Sequence, residues 1–108
     1  MFLFDPKRVN VLGEYGGIGL PVENHLWWNK RNWGYVQFKN SDEVTAEYVK
    51  YANILKDYVK RGFSAAVYTQ TTDVEGEVNG LMTYDRKVIK IDETAVKKAN
   101  QSVINELK

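Results

Sequence analysis

Glu14 is the side chain of this sequence best placed to do chemistry. It follows a short apolar run, Val9 to Leu12, broken only by Asn10, and it sits in the glycine-rich stretch Gly13-Glu14-Tyr15-Gly16-Gly17. A short apolar run bounded by glycine reads as a buried parallel strand. The glycines end regular structure after Leu12 and let another backbone or a ligand approach closely. A carboxylate at the C-terminal end of such a strand can act as a nucleophile on an anomeric carbon and form a covalent intermediate. The alternative is a Glu that caps a turn or pairs with a cation.

A second group of residues suits binding. Trp27, Trp28, Trp33, Tyr35 and Phe38 lie close together, interleaved with Asn24, His25, Asn29 and Asn32. Aromatic rings mixed with amides fit a surface that holds something flat and hydroxylated, because Trp faces match the C–H face of a pyranose. The same rings could instead be loop core. His25 is the only histidine and there is no cysteine, so a metal site lacks partners and His25 reads as a hydrogen-bonding group at a site mouth. Asp73, Glu75 and Glu77 form an acidic stretch whose spacing does not match an EF-hand loop; it reads as solvated. Gly16-Gly17-Ile18-Gly19 lacks the Lys-Ser/Thr of a phosphate loop. No metal and no cofactor is expected.

The elements that must position these groups follow from periodicity. Asp5-Pro6 signals a turn. Residues 18–39 read as a long aromatic loop, and such loops are usually functional. Asn40 and Glu43 give a helix start. Val44, Tyr48, Tyr51, Ala52, Leu55, Tyr58 and Val59 then recur on one helical face, with Lys60 and Arg61 at the negative end and Gly62 as the stop. Phe63 to Thr69 is a second buried strand, with small Ser64, Ala65 and Ala66 suited to a crowded interior. Strand, helix and strand make a βαβ unit, hence a parallel sheet and an α/β fold. Residues 70–80 are polar and end in an Asn79-Gly80 turn; Leu81 to Ile91 alternates only weakly. Asp92-Glu93-Thr94 caps a last helix with Val96, Ala99, Val103 and Leu107 on one face.

Composition narrows the class. The 108 residues allow one domain. They carry 15 basic and 14 acidic side chains, a net charge of +1, which gives no electrostatic case for nucleic acid or an anionic membrane. No apolar run approaches the ~18 residues of a membrane span. Met1 to Pro6 is too short for a signal peptide and lacks its basic start. The chain reads as soluble, and its compartment is not fixed.

The segment Val11-Leu12-Gly13-Glu14-Tyr15-Gly16-Gly17-Ile18-Gly19-Leu20-Pro21-Val22 resembles the nucleophile segment of glycoside hydrolase family 2, which contains β-galactosidases, β-glucuronidases and β-mannosidases on a (β/α)₈ barrel. The segment from Gly62 through Phe63-Ser64-Ala65-Ala66-Val67-Tyr68-Thr69-Gln70-Thr71-Thr72-Asp73 to Thr83-Tyr84-Asp85-Arg86 resembles the eighth strand and following loop of bacterial β-galactosidase-like members. The likeness runs from about Phe4 onward, so residues 1–108 are expected to be the C-terminal segment of the catalytic barrel, its last two strand–helix units. It implies that Glu14 is the nucleophile ending strand seven, followed by Tyr15 in the family's Glu-Tyr pairing. It puts Tyr68 and Gln70 where the eighth strand meets the site. The family often presents Trp there, and this chain does not. Tyr15, His25, Trp27, Trp28, Trp33, Tyr68 and Gln70 are the expected contacts to a β-galactoside-like carbohydrate.

One group that the resemblance calls for is missing. Retention needs two carboxyl groups about 5–5.5 Å apart, and the family's acid/base is a Glu preceded by Asn. The sole Asn-Glu here, Asn105-Glu106, falls in the last helix. A complete barrel takes ~250 residues. The expectation is a piece of a retaining β-glycosidase, inactive alone and completed by a larger chain or an oligomer. A non-catalytic carbohydrate-binding or structural fragment is the alternative.

Overall fold

The computed structural model describes residues 6–106. They form a small mixed α/β domain with two helices and short parallel strands. In chain order these are β1 (Asn10–Gly16), β2 (Ile18–Gly19), β3 (Val36–Gln37), α1 (Ser41–Lys60), β4 (Phe63–Thr69) and α2 (Glu93–Asn105). The turn position expected at Asp5 and the helical position expected for Leu107 lie outside the described residues.

β1 and β4 pair in parallel, so β1, α1 and β4 form the expected βαβ unit. The first strand is longer than its apolar run. It passes through Gly13 and Glu14 to Gly16 because glycine weakens a strand without forbidding it. Gly13 is taken up as a bulge: Leu12 pairs with Ala66 and Glu14 with Val67, leaving Gly13 as the extra residue. A second irregularity near Ser64, between the Asn10–Phe63 and Val11–Ala65 pairs, shifts the register the other way.

Residues 18–39 are not simply a loop. They open with β2, whose Ile18 is 1% exposed, and close with β3. β2 and β3 pair in parallel. Val36 N–H donates to Gly17 O at 3.1 Å and Phe38 N–H to Gly19 O at 2.7 Å. Val78 joins this layer, its N–H donating to Trp33 O at 2.8 Å and its C=O accepting from Leu20 N–H at 2.9 Å. Small residues flanking Ile18 hid this buried segment from a periodicity argument. The stretch Leu81–Ile91 makes only single bridges, Thr72–Met82 and Met82–Ile89, among the described residues.

Both helices start where capping chemistry places them. The Asn40 side chain accepts from Glu43 N–H at 2.9 Å, and Glu43 Oε1 accepts from Lys39 N–H at 3.1 Å. Asp92 caps α2 by accepting from Ala95 N–H at 3.2 Å. α1 ends before Gly62, whose φ of +105° suits glycine. Val44, Tyr48, Ala52 and Leu55 are its buried residues. The helices are tied together by Tyr48 O–H to Asn100 Oδ1 at 2.7 Å and Asp92 N–H to Thr45 Oγ1 at 2.9 Å. Ile18, Leu20, Val44, Tyr48 and Val96 form the core, with Phe38, Tyr68 and Leu81 packed against it.

The strand pair itself is not buried as its sequence led us to expect. Val11 and Val67 are 50% and 53% exposed, and Ser64, Ala65 and Ala66 are exposed too. β1 and β4 have only each other as sheet neighbours among the described residues. The acidic stretch differs in the opposite sense. Asp73 is not solvated: it lies buried and pairs with buried Lys90 at 2.6 Å. It also accepts from Gly80 N–H at 2.8 Å, while Lys90 Nζ donates to Val78 O at 3.1 Å. Burial lowers the Lys90 pKa and raises that of Asp73, against the pull of their mutual contact. Glu75 is exposed, and half-buried Glu77 accepts from Asn79 Nδ2 at 3.2 Å.

Candidate functional site

Alternation along β1 puts Glu14 and Tyr15 on opposite faces. Tyr15 turns toward α1. Its ring meets Tyr51 edge-on at 6.4 Å and Tyr68 at 5.3 Å, and Tyr68 lies against Tyr48 at 5.0 Å. Glu14 therefore projects from the face that α1 leaves open, beside exposed Val67, its pairing partner.

Glu14 lines an open concavity of about 260 Å³. Its walls among the described residues are Glu14, Tyr15, Gly16, Gly17, Tyr35 and Thr69. Local chemistry makes this possible. Gly17 has φ +68°, and a Cβ there would come within 2.7 Å of the Tyr35 ring. Gly16 lies equally close to Thr69 O, at 2.7 Å from the position of a Cβ. Gly17 N–H then donates to Thr69 O at 2.9 Å, closing the floor between the two strand ends. The result is an exposed carboxylate flanked by a phenol ring and a threonine. Such a carboxylate can attack a carbon delivered into the hollow. It is the only carboxyl group in that wall among the described residues.

Thr69 is the wall side chain that the sequence reading did not assign to a site, and Tyr35 it grouped with the tryptophans and not with Glu14. The signal for Tyr35 was the double glycine at 16–17, which leaves space only if something fills it. Tyr35 arrives through the β2–β3 pairing, and no local pattern encodes that.

The expected contact residues divide into three groups. Tyr15 borders the hollow. Burial, with Tyr48 beside it, pushes its phenol up to about 12. Tyr68 stands in the aromatic cluster against α1. Burial first, then neighbouring Tyr48, Tyr15 and Tyr51, raise its pKa well above the usual phenol value. Its hydroxyl is buried without a hydrogen-bond partner among the described residues, and so is Gln70 Nε2. Gln70 follows the last residue of β4, so strand alternation does not extend to it. Trp33 reaches the hollow indirectly, through an edge contact with Tyr35 at 5.6 Å.

His25, Trp27 and Trp28 are not in the Glu14 wall. His25 Nδ1 sits 2.8 Å from Asp85 Oδ2. Trp27 makes an edge contact with Tyr84 at 5.5 Å. Trp28 packs over Gly76, where a Cβ would come within 2.7 Å of its Nε1. All three tryptophans remain substantially exposed, between 45% and 56%.

A larger hollow of about 380 Å³ lies on the other side of the strand pair, against Leu55, Phe63, Val103 and Ile104. It has no charged side chain in its lining, so it offers no carboxylate. Among the described residues, no group of three or more His, Cys, Asp or Glu is placed to hold a metal ion. No described helix is long and apolar enough to cross a membrane. No known family model matches the chain, and no curated protein matches it.

Proposed function

We propose that this chain is the C-terminal part of the catalytic (β/α)₈ barrel of a retaining β-glycosidase, with Glu14 as its nucleophile. The observation that supports this most is the strand pair: two parallel strands joined through α1, with Glu14 on the open face at a hollow near their C-terminal ends. In such barrels the chemistry lies at the C-terminal ends of the strands. The exposed Val11, Ala65 and Val67 are what an incomplete barrel would present to its missing strands. In this reading Glu14 attacks the anomeric carbon of a terminal β-glycoside, and the acid/base comes from the rest of the barrel.

Taken alone, the 108-residue chain should not turn over chromogenic β-galactosides or β-glucuronides. Turnover by the purified chain that disappears in Glu14→Gln would refute that statement. The nucleophile assignment has its own test. Residues 6–106 are exchanged for the corresponding segment of a β-galactosidase-like barrel. The chimera should lose activity on Glu14→Ala and regain it with azide, which enters the vacated space and yields a glycosyl azide of inverted configuration. A folded, active chimera indifferent to Glu14→Gln would end the proposal.

A second reading is carbohydrate binding without catalysis, and the exposure of Trp27, Trp28 and Trp33 favours it. Trp fluorescence titration with methyl β-galactoside should then respond to Trp substitutions and ignore Glu14→Gln.

A further inference from the structure

Two surface segments far apart in sequence are clasped by a double contact. His25 meets Asp85, and two residues along, Trp27 meets Tyr84. Asp85 is firmly held as a carboxylate. Thr83 Oγ1 donates to it at 2.6 Å and Lys87 N–H at 3.0 Å. These bonds, with that of His25, keep its carboxyl well below the usual range. An ionised carboxylate only accepts hydrogen bonds, so His25 Nδ1 carries the proton. The bond to Asp85 thus fixes the orientation of the ring and leaves Nε2 as the nitrogen not engaged with it. The His25 side chain is 29% exposed. Beside it, Trp27 is 56% and Tyr84 38% exposed, with their rings at 83° to each other.

An edge-on aromatic pair leaves a ring face open to solvent, where a flat apolar surface can stack. The neighbouring polar group is an imidazole held in one orientation by Asp85. That combination fits a neutral pyranose, whose C–H face stacks and whose hydroxyls donate. We infer that Trp27, Tyr84 and His25 form a carbohydrate-contact subsite, with Asp85 as the residue that positions the imidazole. Tyr84 and Asp85 have no role in the Glu14 wall. The inference rests on the carbohydrate reading above, but not on Glu14 being a nucleophile.

The test uses the full 108-residue chain, with methyl β-D-galactoside and lactose as probes. Binding is read by intrinsic Trp fluorescence and by saturation-transfer NMR. Trp27→Ala should weaken binding tenfold or more, and Tyr84→Ala several-fold, while Lys97→Ala on the exposed face of α2 leaves it unchanged. His25→Gln should weaken binding several-fold. On adding sugar, the His25 Nε2 resonance in nitrogen-15 NMR should shift in the wild type and stay put in Trp27→Ala, a readout that a merely structural role would not move. Asp85→Asn should reduce that resonance shift while circular dichroism stays native. Absence of saturable binding to either sugar overturns the inference. So does binding that survives Trp27→Ala but is lost on Tyr35→Ala, an outcome that leaves the Glu14 proposal standing. Failure of azide rescue in the chimera, with Trp27-dependent binding intact, would instead remove the nucleophile and keep the subsite.

Discussion

The regular and irregular halves of this molecule reverse the usual relation between order and burial. β1 and β4 are its longest strands, yet Val11 and Val67 stand half in water. The segments around β2, β3 and residues 70–91 carry little regular structure, yet Ile18, Val78, Asn79, Thr83 and Lys90 are each at most 1% exposed. Loops normally run over the surface because buried backbone must be hydrogen-bonded. Here those bonds are supplied by cross-links such as Leu20 to Val78, Val78 to Trp33 and Lys90 to Leu81. The backbone of the irregular half is thus bonded largely within itself, while one face of the strand pair is left to solvent.

The comparison can be broken most directly at the Asp73–Lys90 pair. Removing one partner of a buried ion pair leaves a bare charge and costs about 3–5 kcal/mol. Lys90→Met should therefore lower stability by about that much in urea unfolding, and Asp73→Asn added to it should recover part of the loss. A cost under about 1 kcal/mol would mean that the irregular half is not held this way. Next comes Val44→Ala in the core of α1, where two lost methyl groups and a residual cavity cost about 2 kcal/mol.

Alkali probes the seam between the halves, where Tyr15 and Tyr68 meet α1. Both phenols have pKa values raised above the ordinary 10.0, Tyr15 to about 12. A raised folded value means that their contribution is complete below pH 10 and is lost as pH rises through the folded value. Chemical denaturation from pH 9 to 12 should show stability falling, with a shallower fall in Tyr15→Phe. Asn40→Ala removes the α1 cap and should cost about 1 kcal/mol. The smallest effect belongs to Val67→Ala, expected within about 0.5 kcal/mol in this chain because the side chain is already exposed. If the same change costs several times more inside a complete barrel, the strand pair is a buried surface awaiting its neighbours.

What the sequence made legible was local. Phe63–Thr69 and both helix starts depend on neighbours within a few positions, through periodicity and through the Asn40 and Asp92 side chains. Glu14 was legible as a carboxylate between glycines on a strand. The rest was set by contacts distant in sequence. Asp73 looked solvated because Lys90 is 17 residues away. Tyr35 joined the Glu14 wall only because β3 pairs with β2. The burial of Ile18 depends on Val78 and α1, and the clasp of His25 by Asp85 spans 60 residues. None of these carries a periodic or capping signature.

The two register slips of the strand pair, at Ser64 and at Gly13, cancel. Pairing that is in step at Asn10–Phe63 is out of step at Val11 and Leu12, and back in step from Glu14 onward. Each slip is a bulge, which takes up its extra residue and so keeps the faces of the strand beyond it. Leu12 and Tyr15, three positions apart, therefore both face Leu55 and Tyr58. Loss of Gly13 should leave plain alternation from Leu12 to Tyr15 and keep the Glu14 carboxylate on its present side. A residue added between Glu14 and Tyr15, with no bulge to absorb it, should instead turn the phenol away from α1. The strand pair thus tolerates shortening at its bulges better than lengthening between them, like a seam with slack sewn in at two places.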